Sequence, residues 1–245
     1  MLKQIPNLIT SLNLLCGCVA IFFAISGDLV TASYFVFTGI FFDFFDGLAA
    51  RVLNAQSEVG LQLDSLADMV TSGVAPAIVM VQLLSEATSG VPINVFLEET
   101  ETMGWYGAKF NFLPFFGLLI AVASACRLAK FNVDTRQTTS FIGLPTPGNT
   151  LLVLSLPLIL AFQPSALVES IVLNPWFLVG ITLLGCILMN AELPLFALKF
   201  KTWDFKTNAV RYVFLGICLV AIVLLQFIAI PVILLVYIGM SLIWK

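Results

Sequence analysis

Asp43-Phe44-Phe45-Asp46-Gly47-Leu48-Ala49-Ala50-Arg51, followed after eight residues by Gly60-Leu61-Gln62-Leu63-Asp64-Ser65-Leu66-Ala67-Asp68, places four aspartates within 26 residues of an otherwise apolar chain. A charged side chain at bilayer depth costs several kcal/mol, so acids kept there face a protein interior or a polar cleft and do work. On a helix, residues three or four apart share a face. Asp43, Asp46, Gly47 and Ala50 therefore form one stripe, and Gly60, Asp64 and Asp68 a second. A turn from Asn54 to Ser57 reverses the chain, so the two stripes can face each other across a cleft. The small residues let the backbones approach and leave room for a bulky substrate to reach the carboxylates.

The chain around this stretch is 60% hydrophobic and 10% charged over 245 residues, with a mean hydropathy of +1.06. Such values lie outside those of soluble globular domains. Runs long enough to cross a bilayer, at roughly 20 residues each, fall near 7–26, 30–50, 63–84, 111–131, 148–163, 173–190, 210–226 and 229–243. The expectation is an all-α, polytopic integral membrane bundle of about eight transmembrane helices, or six if the short fifth and last only dip or lie in the interface. A single membrane domain covers 1–245, with the acidic region in 1–150 and further transmembrane helices in 151–245. Breaks at Gly27-Asp28, the polar 85–110 loop, 143–148, Gln163-Pro164 and Asn174-Pro175 agree with these boundaries.

Lys and Arg in short loops are retained on the cytoplasmic side. With the N-terminus inside, Lys3, Arg51, Arg127, Lys130, Arg136, Lys199, Lys201, Lys206, Arg211 and Lys245 all fall on cytoplasmic loops or termini, and Lys109 alone falls outside. Both termini and the acidic cleft are therefore expected at the cytoplasmic face of the cytoplasmic (inner) membrane. Residues 191–211, mixing Phe196, Phe200, Trp203 and Phe205 with lysines, suit a connector at headgroup level. With basic residues gathered on one face for topology, the net charge of −3 points to no nucleic-acid partner. Asn7, Thr10 and Asn13 interrupt the first apolar run and argue against a cleaved signal peptide.

Four carboxylates at close quarters repel one another unless cations compensate them. Hard oxygen ligands favour Mg²⁺, Mn²⁺ or Ca²⁺ over zinc, and such ions serve phosphoryl chemistry by neutralising phosphate oxygens. The chain has no histidine, so acid-base work falls to carboxylates. Its five cysteines lack CxxC spacing and suggest packing, not disulfides or zinc. An ion or proton transporter is the rival reading of intramembrane acids, but it accounts for neither Gly47, Ala50 and Gly60 nor Arg51.

The complete pattern, Asp43-x2-Asp46-Gly47-x2-Ala50-Arg51-x8-Gly60-x3-Asp64-x3-Asp68, resembles the signature of the CDP-alcohol phosphotransferases without a departure. These integral membrane enzymes displace CMP from a CDP-linked donor with the hydroxyl of an acceptor alcohol. The resemblance implies that Asp43, Asp46 and Asp64 hold a divalent metal, Mg²⁺ or Mn²⁺, with help from Asp68, and that Asp68 is also the catalytic base. It implies that Gly47, Ala50, Arg51 and Gly60 lie around the cytidine diphosphate. Pro6-Asn7-Leu8-Ile9-Thr10 looks like the family's amino-terminal element, with Asn7 and Thr10 on one helical face towards the donor. A six-helix family core plus two further helices, and a homodimer, are also implied.

Two further segments resemble the phosphatidylserine-forming branch: Leu63–Asp68 followed by Gly73-Val74-Ala75-Pro76, and Arg127-Leu128-Ala129-Lys130-Phe131-Asn132 followed by Phe141-Ile142-Gly143-Leu144-Pro145-Thr146-Pro147. Thr71-Ser72 departs from the branch's usual Ser-Phe without touching the metal motif. That resemblance implies CDP-diacylglycerol and L-serine as substrates, with phosphatidylserine and CMP as products. Arg127 and Lys130, three apart on a helix end, suit an acceptor carboxylate. Plain positive-inside topology explains basic residues there too, and equally at Arg136. Glycerol 3-phosphate or an inositol phosphate is the alternative acceptor.

Overall fold

Pro6, in the first turn where its missing N–H costs nothing, opens α1 (Ile5–Ile25). Gly27 then takes φ of +85°, a left-handed conformation that ends the helix and turns the chain. Asp28 caps α2 (Leu29–Val52) by accepting from the Thr31 N–H at 3.0 Å. The Thr31 hydroxyl and N–H hold the Asp28 carboxyl below the usual carboxylate range. At the far end of α2, Asn54 adopts φ of +48°, and the Leu53 and Ala55 N–H groups bond back to Ala49 and Ala50 at 2.9 Å each. Ser57 starts α3 (Glu58–Asp68) by accepting from the Gly60 N–H at 3.0 Å. The helix continues through a π-type segment, Met69–Val74, into α4 (Ala75–Ser89). The turn between the two aspartate stripes thus lies where the sequence places it.

The structure is a computed structural model and describes residues 4–91, 93, 111–134, 141–195 and 205–243. A 3₁₀ turn (Leu113–Leu118) leads into α5 (Leu119–Val133). Then come α6 (Thr146–Phe162), α7 (Ala166–Val172), α8 (Pro175–Asn190), α9 (Phe205–Leu225) and α10 (Ala229–Ile243). One small departure from an all-α chain is a two-residue antiparallel ladder, β1 (Phe141–Ile142) against β2 (Pro194–Leu195). The Gly143 N–H bonds to the Leu193 carbonyl at 2.8 Å and the Leu144 N–H to the Leu188 carbonyl at 2.9 Å, tying the start of α6 to the end of α8. All five cysteines are free, as the sequence suggests.

Among the described residues, five helices are long and apolar enough to cross a membrane: Ile5–Ile25, Leu29–Val52, Glu58–Ser89, Leu113–Val133 and Ala209–Ile243. Counting the pair α7 and α8, bent by 58°, as one span makes six, and α6 is a shorter apolar helix of 17 residues. A polytopic helical membrane protein follows, with five to six spans on this criterion where the sequence suggests eight. The last of the five is not one rod. The rings of Phe214 and Tyr237 lie 5.7 Å apart, whereas a continuous helix would separate them by about 34 Å. The chain therefore doubles back through the 3₁₀ turn Gln226–Ile228. Gln163, at the end of α6, grips that turn: its Nε2 donates to the Leu225 carbonyl at 3.1 Å and its Oε1 accepts from the Ile228 N–H at 3.2 Å.

α4 runs through the middle, with Met80, Leu83 and Leu84 fully buried against α1, α6 and α8. Gln82 spends its amide on that interior, donating to the carbonyls of Ala24, Ile25 and Ile93 and accepting from the Ile93 N–H at 2.7 Å. Lys3, Lys109, Arg136, Lys199, Lys201 and Lys245, the side chain of Lys206 and residues 196–204 of the 191–211 connector lie outside the described residues.

Candidate metal and substrate site

α2 and α3 meet as the two stripes require. Carboxylate oxygens of Asp43, Asp46 and Asp64 lie within 4.8 Å of one another. Asp46 is held by Thr10, whose hydroxyl sits between the Asp46 carboxylate and the Pro6 carbonyl. Asp68 lies one turn deeper along α3, close enough to Asp64 and Asp46 to feel their charge. Its Oδ1 accepts from the Asn13 Nδ2 at 3.3 Å. Three hard oxygen donors at this separation, with a fourth carboxylate adjoining and few counter-charges, fit a divalent cation of the Mg²⁺ or Mn²⁺ kind.

Asp46 and Asp64 also form part of the wall of a cavity of about 530 Å³, a size ordinary for small-molecule sites. Asn7, Thr10, Gly47, Ala50, Arg51 and Gly60 line it too, so every residue expected around the donor falls on one cavity. Asp43 and Asp68 do not line it. Gly60 is needed for the close approach of α1 and α3, since a Cβ there would lie 3.1 Å from both the Asn7 Oδ1 and the Ser57 Oγ. Arg51 turns its Nε to the Gly47 carbonyl at 2.9 Å, which leaves its terminal nitrogens at the cavity.

Arg127 and Lys130 are brought together, but in a second cavity of about 350 Å³ between the ends of α5 and α8. The two cavities have no lining residue in common. Arg127 is 5% exposed, donates from Nε to the Leu144 carbonyl at 3.3 Å and lies 5.7 Å from the centre of the Phe131 ring. Along the bundle it is level with Asp68. On one side Gly73 abuts Ser124, and on the other the Asn132 Nδ2 donates to the Ser65 Oγ at 2.9 Å. Since α3 and α5 run in opposite directions, these contacts bracket Asp68 against Arg127.

Asn13 is the residue that the sequence reading passed over. It is fully buried, touches Asp68 and leaves its own Oδ1 without a partner. The signal was present, because Asn7, Thr10 and Asn13 recur every three residues on one face of α1. Thr71 and Ser72 stand in the π segment, where the Thr71 hydroxyl donates to the Asn13 carbonyl at 3.0 Å and the Ser72 carbonyl accepts from Thr150 at 2.8 Å. This departure from the branch pattern is therefore a helix-packing position.

Residues 3–197 match the CDP-alcohol phosphatidyltransferase family. The chain is similar to the CDP-diacylglycerol–serine O-phosphatidyltransferase of Bacillus subtilis, 38% identical over 169 residues, which cover 65% of this chain and 81% of that protein. The enzyme of the same name from Helicobacter pylori strain J99 is 30% identical over 219 residues, covering 88% of this chain and 81% of the relative. That of Mycobacterium tuberculosis strain H37Rv is 29% identical over 244 residues, covering 96% and 76%. The matched segment contains α1 to α3 and the whole acid-lined cavity, and the chain belongs to the CDP-alcohol phosphatidyltransferase family of membrane enzymes.

Proposed function

We propose that the protein transfers a phosphatidyl group from CDP-diacylglycerol to the hydroxyl of L-serine, giving phosphatidylserine and CMP. The observation that carries this reading is the single cavity in which the Asp46 and Asp64 carboxylates meet Asn7, Thr10, Gly47, Ala50, Arg51 and Gly60. It offers acids for a metal at the floor and small residues and an arginine where a nucleotide diphosphate would lie. The names of the relatives support serine as acceptor.

Asp43, Asp46 and Asp64 would hold a divalent metal, with Asp68 adjoining. When bound, such an ion neutralises diphosphate oxygens and favours departure of the nucleotide. Asn7 and Arg51 orient the diphosphate, while Gly47, Ala50 and Gly60 keep the wall low enough for it to approach. The acyl chains stay in lipid or between helices. Arg127 and Lys130 hold the acceptor's carboxylate at the depth of Asp68. Asp68 takes the proton of the serine hydroxyl, the serine oxygen bonds to the phosphatidyl phosphorus, and the bond to CMP breaks. Direct transfer suits the site, because the described residues offer no activated Ser, Cys or His nucleophile there.

The reaction would face the cytoplasm, with both termini on that side and eight crossings. In support, the described basic side chains Arg51, Arg127, Lys130 and Arg211 all belong to the end of the bundle that carries the acids, whereas Asp28, Glu86 and Glu169 mark the other end. The test is CMP release by the purified protein in lipid with CDP-diacylglycerol and Mg²⁺ or Mn²⁺. Serine, glycerol 3-phosphate and an inositol phosphate are supplied separately. Release with serine and a phosphatidylserine product is expected. Release only with another acceptor moves the specificity, and no release with any puts ion transport first.

A further inference from the structure

α1 carries no acid of its own, yet it meets two of them. Thr10 donates its hydroxyl to Asp46, and about one turn on, Asn13 donates from Nδ2 to the Asp68 Oδ1 at 3.3 Å. Asn13 is fully buried, lines neither cavity, and has no partner for its Oδ1. A buried acceptor without a donor costs free energy, and an apolar side chain of similar size would fill the space without that cost. As packing, then, the amide is a poor choice. What it supplies that leucine cannot is the N–H on Asp68.

The surroundings fix which way that N–H points. The Asn13 carbonyl accepts from the Thr71 hydroxyl at 3.0 Å, which ties α1 to the π segment just beyond Asp68. The Asn13 Oδ1 is pressed against Gly39 of α2, where a Cβ would lie 2.9 Å from it and 2.6 Å from the Thr71 Cγ2. Turning the amide over would set Oδ1 against the Asp68 carboxylate, acceptor against acceptor. Asp64, Asp46 and Asp43 also act on Asp68, and all three are acids, so the neutral donor on α1 decides how its carboxylate is turned. We propose that Asn13 is a positioning residue, which holds Asp68 by one oxygen so that its carboxylate meets the acceptor hydroxyl in a single orientation. Gly39 and Thr71 hold Asn13 in turn. The proposal rests on Asp68 being the base of the proposed transfer. Asn13 itself takes no proton and touches neither substrate.

The test is a double-mutant cycle on the full chain in lipid: wild type, Asn13→Leu, Asp68→Asn and both together, read as CMP release from CDP-diacylglycerol with serine. Asn13→Leu should lower kcat about a hundredfold, the cost of a misplacement of about 1 Å in a reacting group. The KM values for serine and CDP-diacylglycerol should stay within about twofold, and the melting temperature in detergent within about 4 °C. The double variant should fall within about threefold of Asp68→Asn alone, because an amide that acts through Asp68 has nothing left to orient. Losses that multiply instead give Asn13 a role independent of Asp68 and overturn the proposal. So does a near-normal kcat in Asn13→Leu while Asp68→Asn is inactive, which leaves the base standing. Should the leucine variant not fold, Asn13→Ser, whose hydroxyl can bond within its own helix, must show the same pattern. Failure of both to fold assigns Asn13 to packing and overturns the proposal as well. Wild-type turnover in Asp68→Asn removes the base and the positioning residue together.

Discussion

The rod Glu58–Ser89 and the hairpin Ala209–Ile243 lie in one chain under opposite rules. The first has a mean hydropathy of 1.5 over its most apolar window, and 67% of that window is buried. The second reaches 3.1 with only 11% buried. In a soluble protein the more apolar segment would be the inner one. Here lipid is the outer solvent, so the most apolar helices face outward, and polarity is tolerated only where other helices surround it. Asp64, Asp68, Thr71, Ser72 and Gln82 all lie on the buried rod. Between these two segments, low hydropathy goes with the interior and the site, and high hydropathy with the packaging.

The sharpest way to break this contrast is to neutralise an acid on the rod. Asp64→Asn or Asp68→Asn should lower turnover by about a thousandfold or more, with circular dichroism and elution in detergent unchanged, because the charge acts in chemistry and the helix survives its loss. Near-normal activity in both variants would remove the acids from the mechanism. Chelation of divalent cations should give a comparable loss, restored by adding Mg²⁺ or Mn²⁺ back. Leucine at Gly17 acts on packing instead. A Cβ there would run into the side chain and backbone of Thr71, so Gly17→Leu should destabilise the bundle by about 1–3 kcal/mol and lower its melting temperature. Next, Arg127→Ala should raise the KM for serine about tenfold and that for CDP-diacylglycerol much less. Equal rises would assign the arginine to the donor or to structure. Gln163→Leu, which only frees the hairpin turn, should leave activity within about twofold and cost about 1 kcal/mol of stability, read as a small fall in melting temperature.

The helices and turns around the site were legible because their signals are local. Gly27-Asp28, Asn54 and Ser57 each set a turn through their own backbone or side chain. The donor-side residues were legible as a set because helical spacing fixes which side chains share a face, and all six line one cavity. Other features depend on distant partners. That Asp43 and Asp68 do not line the cavity is decided by how α1 packs on α2 and α3, which spacing within one helix cannot report. Asn13 was read as an interruption in an apolar run because its partner, Asp68, is 55 residues away. The separation of the Arg127 cavity from the donor cavity likewise depends on α8, which brings Asn190 and Glu192 to α5. The fold-back of Ala209–Ile243 is set by contacts of Gln163 and by the Phe214–Tyr237 ring pair.

The π segment after Asp68 carries a consequence for the rod's own phasing. One residue more per turn than an α-helix amounts to a single-residue insertion absorbed without a break. It rotates the faces on its two sides relative to each other by about 100°, the angle of one residue in an α-helix. Asp64 and Asp68 can therefore face α1 and α2 while Met80, Leu83 and Leu84 close the interior farther along the same rod. Deleting Val70 would let the helix relax to a regular α-helix and swing either the acids out of the cleft or α4 out of its core.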